Sequence, residues 1–530
     1  MIFLMMEEIK KFLKDIEPRK YQEEIYKVCK EKNTLVVLPT GLGKTLIALM
    51  LAIGRLVKFP DSKILFLAPT RPLAQQHLDY FKKHLPELFA TLELFTGKTK
   101  AEKRRKLWQN AEIIFSTPQC ISNDLKNNLY SLEDVSLLIE DECHRCIKNY
   151  SYTFIAKKYK EQSKHPRILG LTASPGHEKE KLKKICENLG IEKIEIRTRE
   201  SEDVKDYLQK LKFEIVKLEF PEEFKEIRNL LKKIFDKKIE ELKNRKLLFE
   251  RPTKKNLLEL QRKIMRIISS GNRHFNILAG ASAVAITIKL QHALELLETQ
   301  TLSSLLAYMQ DLFEQAKKEK SKAVKQLVKQ KEFNLVYSKL LYLSAEKKEH
   351  PKLERLKEIV ESEFLNKEKR PKIIIFAQYR DTVTKICKEI NSLPGVNARV
   401  FVGQAKKSRK GKEETGLSQK EQRELLREFA LGRVNVLCST SIGEEGLDIP
   451  EVSTVIFYEP IPSAIRQIQR RGRTARLQEG KLIILVTKGT RDEAYYWSAF
   501  HKEKKMYKAI NHIKEDLENK KTVKRQKTLF

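Results

Sequence analysis

No apolar run in this 530-residue sequence approaches the ~18 residues that a membrane-spanning helix needs. The opening MIFLMM is too short for the hydrophobic region of a signal peptide, and no small-residue cleavage site follows it. Cysteine is sparse: seven residues, an odd number scattered along a long chain, exclude a disulfide framework. A cytoplasmic, reducing location is therefore expected. Acidic residues are also in deficit, with 71 Asp plus Glu against 105 Lys plus Arg and a formal charge of +34. With 41% hydrophobic residues this describes a folded, strongly basic protein rather than a disordered tail. The basic residues run through the whole length and no amphipathic anchor stands out, so nucleic-acid phosphates are the expected partner rather than a membrane surface.

At ~100–200 residues per domain the chain is too long for one core. Short apolar runs at 35–38, 63–67, 113–116, 137–139 and 168–171 alternate with helical patterns, which predicts a parallel sheet covered by helices. After LKFEIVKLEF (211–220) the rhythm changes. From 221 to 349 Gly and Pro are few, Leu, Lys and Glu abound, and ILAGASAVAITIKLQHALELLETQ is apolar enough to be the buried helix of an all-helical domain. Strand rhythm returns at 372–376, 399–402, 435–438, 455–457 and 482–486, while the polar stretch 403–422 reads as a loop. The division expected is an α/β domain over 1–220, a helical insert over 221–349, a second α/β domain over 350–500, and a basic helix and tail over 501–530.

LVVLPTGLGKTLIALM places a strand, a Gly-containing loop and a helix in succession, the order in which backbone N–H groups and a helix N-terminus surround phosphate. Leu38 stands where the strict G-x-x-x-x-G-K-[ST] pattern has its first Gly. Thr40, Gly41 and Gly43 would form the cradle, Lys44 would reach the β- and γ-phosphates, and Thr45 would bind Mg²⁺. LLIEDECHR (137–145) ends an apolar strand in carboxylates, at the edge where parallel sheets place ligands. Asp141 is assigned to Mg²⁺, and Glu142 to orienting and deprotonating the attacking water. A zinc cluster of Cys143, His144 and Cys146 is the competing reading; it lacks a nearby fourth ligand. In QIQRRGRTAR, Arg473 and Arg476 lie one helical turn apart and could reach a triphosphate.

RKYQ, PTGLGKT, APTRPLAQQH, TGK, STPQ, DECH, TAS, IIIFAQYRDT, STSIGEEGLDIP and QRRGRTAR occur in this order across residues 16–490. Together they resemble superfamily 2 helicases, in which two RecA-like domains close on ATP. The insert and FYEPIPSAIRQIQRRGRTAR resemble the archaeal Hef helicases and their FANCM branch, neighbours of the RIG-I-like and Dicer helicases.

The resemblance implies an ATP-dependent helicase or translocase on forked or branched DNA, using ATP and Mg²⁺, with an RNA helicase or double-stranded-RNA-stimulated ATPase as the alternative. It implies that Gln22 reads the adenine, that Arg19 is among the nucleotide-binding residues, that Gly446 and Asp448 lie near the ribose, and that Gln469, Arg473 and Arg476 contact the γ-phosphate. His144, with Thr172 and Ser174, would link nucleotide state to the nucleic-acid groove. Thr70, Arg71, Thr96, Gly97, Thr117 and Thr440 would touch the strand backbone without base preference. Two positions depart from the pattern: Ala475 replaces the usual Gly, and Cys143 replaces Ala, a variant more familiar among the RIG-I-like proteins. No ERKxxxD signature is present, so a motor without an attached nuclease is expected. The ending KRQKTLF, with Gln526, Leu529 and Phe530, resembles a sliding-clamp-binding peptide.

Overall fold

The computed structural model describes residues 6–207, 211–271, 273–319, 321–365, 371–403, 416–440, 450–461, 463 and 480–527, with side chains up to 519. It has two RecA-like parallel-sheet domains with an all-helical bundle between them. The first sheet consists of β1 (Thr34–Val37), β2 (Lys63–Leu67), β3 (Leu92–Phe95), β4 (Ile113–Ser116), β5 (Val135–Asp141), β6 (Ile168–Thr172) and β7 (Lys193–Ile196). Their spatial order is β3-β4-β2-β5-β6-β1-β7, and every pairing is parallel. β1, β4, β5 and β6 are buried at every residue. Alternate side chains feed two cores, Val36, Phe66 and Ile139 on one face and Leu35, Leu67 and Leu138 on the other. Burial on both faces is why these strands read as unbroken apolar runs.

The second sheet consists of β8 (Leu211–Leu218), β9 (Ile373–Phe376), β10 (Ala398–Phe401), β11 (Val436–Ser439), β12 (Thr454–Phe457) and β13 (Gly480–Thr487), in the order β10-β11-β9-β12-β13-β8. This corrects the first expected boundary. Residues 211–218, placed in the first α/β domain by sequence, pair in parallel with β13 from Leu211↔Gly480 to Leu218↔Thr487. The chain enters the second sheet at its edge, leaves for the bundle and returns at β9. LKFEIVKL is mostly half-buried, as suits an edge strand, with Phe213 exposed, and such a pattern does not say which sheet a strand joins.

The bundle runs from the helix Glu222–Asn244 to the helix Lys331–Ala345. Against the first expectation, its central helix, Phe275–Thr299, is long and apolar enough to cross a membrane. Here it packs against the helices Glu222–Asn244, Lys254–Ser269 and Leu302–Lys317. The next helix, Pro351–Leu365, gives Leu353, Leu356 and Val360 to the core of the second sheet.

The last expected boundary is also corrected. One helix, Arg491–Lys527, continues through position 500. Near its start, fully buried Asp492 accepts a hydrogen bond from Lys352 Nζ at 2.8 Å, and Arg491 Nε lies 3.5 Å from Glu298 of the bundle. Further along, Met506, Ile510 and Ile513 enter the core of the first domain. The helix is thus a strut joining both sheets and the bundle, and its apolar stripe was hidden in a Lys-rich sequence.

Candidate active site and nucleic-acid interface

Because all strands of the first sheet run the same way, the loops leaving them emerge along one edge. In spatial order from β3 through β4, β2, β5 and β6 to β1, those loops carry Thr96 and Gly97, then Thr117, then Thr70 and Arg71, then Asp141 and Glu142, then Thr172 and Ser174, and last the 38–45 loop. The backbone-contact candidates fill one half of the edge and the nucleotide candidates the other. Thr70 caps the helix Arg71–His84, its hydroxyl accepting from Leu73 N–H at 3.4 Å. Thr117 stands at the N-cap of the helix Pro118–Lys126. Gly97 borders open space, where a backbone could approach closely. In the second sheet, Thr440 directly follows β11 and is buried.

The phosphate-loop candidate is held from behind. Gly43 has φ 70° and begins the 15-residue helix Lys44–Lys58, whose positive end faces the loop. Tyr21 donates its hydroxyl to Leu42 O at 2.8 Å. Buried Gln22 donates to the same carbonyl at 3.2 Å and accepts the Arg19 N–H at 2.8 Å. The Arg19 guanidinium lies 5.1 Å from the centre of the Tyr207 ring. Lys44 Nζ donates to Leu38 O at 2.9 Å, which keeps the ammonium over the loop. Thr40 Oγ1 is a buried polar atom without a hydrogen-bond partner among the described residues. A cleft of about 390 Å³ borders Pro39 and Thr40, walled opposite by Phe213 of β8 and by Tyr496 and Phe500 of the long C-terminal helix.

Asp141 ends β5. Tyr152, fully buried, donates its hydroxyl to Asp141 O at 2.7 Å and fixes the backbone there. The Asp141 carboxylate accepts from His77 Nε2 at 2.9 Å, and the other ring nitrogen of His77 lies 3.5 Å from Thr45 Oγ1. Burial pushes the Asp141 carboxyl up; the hydrogen bond from His77 and the charge of Lys44 outweigh it and hold the group below the ordinary carboxylate value. Glu142 adopts a left-handed backbone, φ 50° and ψ 44°, a conformation costing a non-glycine residue ~1–3 kcal/mol and concentrated at functional sites. Its carboxylate lies 3.2 Å from His144 Nδ1, which lies 3.3 Å from Thr172 Oγ1. Thr172 Oγ1 in turn accepts the Ser174 N–H at 3.1 Å. A polar chain therefore runs from Glu142 through His144 to the TAS turn. Cys143 and Cys146 point instead into the apolar core.

Thr45 and Asp141 present a hydroxyl and an anionic carboxylate, both hard oxygen donors and both bordering the same imidazole, which fits Mg²⁺ rather than a thiophilic metal.

The structure thus brings Arg19, Gln22, Thr40, Gly41, Gly43, Lys44, Thr45, Asp141, Glu142 and His144 together at one end of one sheet edge. Gly446, Asp448, Gln469, Arg473 and Arg476 lie outside the described residues, as do Leu529, Phe530 and the side chain of Gln526. Sequence reasoning missed His77 and Tyr152. His77 is the last letter of APTRPLAQQH, on the buried side of a helix that attracted notice only for its first turn.

Residues 19–182 match the DEAD/DEAH box helicase family and residues 351–478 the helicase conserved C-terminal domain. Residues 223–348 match a family described as "Putative ATP-dependent RNA helicase, helical bundle". The crystal structure of the Pyrococcus furiosus Hef helicase domain is 46% identical, aligns with a TM-score of 0.70, and matches over 91% of this chain and 98% of its own. The chain belongs to the Hef family of superfamily 2 helicases. A Methanocaldococcus jannaschii relative named "Putative ATP-dependent RNA helicase" is 40% identical over 502 residues, 94% of this Hef-type chain and 61% of the relative. The Schizosaccharomyces pombe ATP-dependent DNA helicase fml1 is 32% identical over 486 residues, covering 89% of this chain and 57% of its own. The Hef-type chain spans about three fifths of the length of these two relatives.

Proposed function

We propose that this chain is the ATP-hydrolysing motor of a DNA helicase or translocase that acts on forked or branched DNA in the repair or restart of replication forks. The observation that supports the reading is the sheet edge, where the loops carrying the backbone-contact and nucleotide candidates stand side by side in a chain 46% identical to a Hef helicase domain. The name of the fission-yeast relative supports DNA; the name of the Methanocaldococcus relative favours RNA as the second reading.

In this mechanism Gln22 serves the adenine with Arg19 beside it among the nucleotide-binding residues, and the backbone of Thr40, Gly41 and Gly43 with the ammonium of Lys44 receives the phosphates. Thr45 and Asp141 would hold Mg²⁺, which when bound supplies charge neutralisation at the β- and γ-phosphate oxygens. Glu142 orients a water and takes its proton. His144 passes the position of Glu142 to Thr172 and Ser174. By the resemblance, Gln469, Arg473 and Arg476 contact the γ-phosphate, and Gly446 and Asp448 the ribose. Each round of closure and release steps the two domains along a strand gripped by Thr70, Arg71, Thr96, Gly97, Thr117 and Thr440. The basic bundle grips duplex arms and so favours forks. A sliding clamp is proposed to bind Gln526, Leu529 and Phe530; deletion of the last six residues without loss of clamp affinity removes that partner. The seven cysteines, buried and unbridged, suit the reducing cytoplasm.

The deciding experiment measures ATP turnover and strand separation with forked DNA, blunt duplex DNA and double-stranded RNA. Strongest stimulation by the fork is expected. Stimulation by double-stranded RNA alone would transfer the assignment to the RNA reading.

A further inference from the structure

His77 has no part in the mechanism above, yet it sits between the two side chains assigned to the cation. It is 6% exposed. Its ring packs on Phe66 with centroids 4.4 Å apart and an interplanar angle of 33°, which fixes the imidazole plane. Nε2 meets Asp141 Oδ2 at 2.9 Å, and Nδ1 faces Thr45 Oγ1 at 3.5 Å, the long end for a hydrogen bond.

The donor inventory decides the tautomer. An ionised carboxylate only accepts, so the hydrogen sits on Nε2; in the neutral ring Nδ1 is then an acceptor facing a hydroxyl. Thr45 is drawn to direct its hydrogen toward His77, which leaves the oxygen lone pairs for a cation. One oxygen of Asp141 is tied to the same ring, and the other remains for the metal. A single rigid imidazole thus orients ligands from the first turn of one helix and the end of one strand.

We propose that His77 is the positioning residue of the Mg²⁺ site, setting the direction of both the Thr45 hydroxyl and the Asp141 carboxylate. The inference rests on the reading that Thr45 and Asp141 hold Mg²⁺. Partners of this kind, one shell out from the metal, carry ~10–100-fold in metal affinity.

The test uses the full chain and Mg²⁺ itself as probe. ADP affinity is measured by calorimetry in MgCl₂ and in EDTA, and the MgCl₂ midpoint for ATP turnover is determined, for wild type, His77→Leu and His77→Gln. His77→Leu is expected to raise the MgCl₂ midpoint by ~10-fold or more and to weaken ADP binding in MgCl₂ while leaving it unchanged in EDTA. His77→Gln, which retains a donor and an acceptor, is expected to restore most of the loss. Equal weakening with and without Mg²⁺, or an unmoved midpoint, overturns the proposal, because a packing defect predicts either. If His77→Leu does not fold, His77→Met is read by the same criteria. Asp141→Asn separates the two levels: no change in Mg²⁺ dependence there sinks the metal reading itself, whereas a loss there with none in His77→Leu sinks only the role of His77.

Discussion

Met506 Sδ lies 3.0 Å from Ser174 Oγ, although 332 residues separate them. The serine belongs to the turn that His144 joins to Glu142, the proposed water-orienting residue. The methionine is fully buried and belongs to a helix rooted, through Asp492 and Lys352, beside the second sheet. On the proposed mechanism, movement between the sheets would reach this turn through a packed side chain as well as through nucleotide. Met506→Ala is expected to destabilise the first domain by ~2–5 kcal/mol, the usual cost of emptying a buried Met site. The same variant should lower the stimulation of ATP turnover by DNA several-fold more than the unstimulated rate. A lower melting temperature with an unchanged stimulation ratio would confine Met506 to packing.

Gly43 and Gln22 make a second testable pair. At φ 70° an L-residue is strained, and a Cβ on Gly43 would stand 2.2 Å from Gln22 Nε2. Gly43→Ala is therefore expected to weaken ATP binding at least ~10-fold, from left-handed strain of ~1–2 kcal/mol and displacement of Gln22. Adding Gln22→Ala should relieve the clash but not the strain, so a double-mutant cycle followed by ATP affinity should show favourable coupling. Strict additivity would place the cost in the backbone alone.

The parts of the fold legible in the sequence were those set by short-range chemistry. Strands buried on both faces announced themselves as apolar runs, as at 113–116 and 168–171. The loop from Leu38 to Thr45 and the carboxylates after Ile139 sit at strand ends because a parallel sheet puts all such ends on one edge. What stayed hidden depends on distant pairing. β3 and β7 are edge strands with half-exposed residues and no continuous run. β8 belongs to a sheet whose other strands come more than a hundred residues later. His77 reads as one polar letter on an amphipathic helix until the fold carries Thr45 and Asp141 to either side of it.

Glu142 supplies the sharpest separation of binding from chemistry. Glu142→Gln keeps the size and the left-handed turn but removes the base. The expected result is a fall in kcat of ~10²–10⁴, the usual contribution of a positioned general base, with ATP affinity nearly unchanged. Lys44→Ala should instead lose affinity and turnover together. Unimpaired turnover in the glutamine variant would remove Glu142 from the mechanism.

Lys352 and Asp492 form an ion pair with both side chains fully buried. Burial pushes the Asp492 carboxyl up, against the opposing charge and hydrogen bond of Lys352. Removing one partner strands a charge, so Asp492→Ala is expected to cost ~3–5 kcal/mol in chemical denaturation, while Lys352→Met with Asp492→Leu together should lie near wild type. A double variant as unstable as the single would show that the pair has a role that apolar packing cannot replace.

Glu140 is the buried carboxyl of the acidic box that the mechanism leaves unused, and it gives stability a pH dependence of known sign. Its side chain is fully buried, with the Cys146 thiol as a neighbour. Burial, only partly opposed by the Cys146 thiol and the charge of Lys160, pushes its pKa from 4.5 up to about 8. Between those values the unfolded chain has released a proton that the folded chain retains, so stability is greatest at the acid end and falls as pH rises toward 8. The slope from this one group is at most ~1.4 kcal/mol per pH unit. Glu140→Gln abolishes the titration while keeping the shape. The advantage of the variant over wild type, measured by denaturation at several pH values across this window, should therefore widen steadily with pH and level off above it. A constant difference would mean that Glu140 is ionised in the folded protein and paired with a cation.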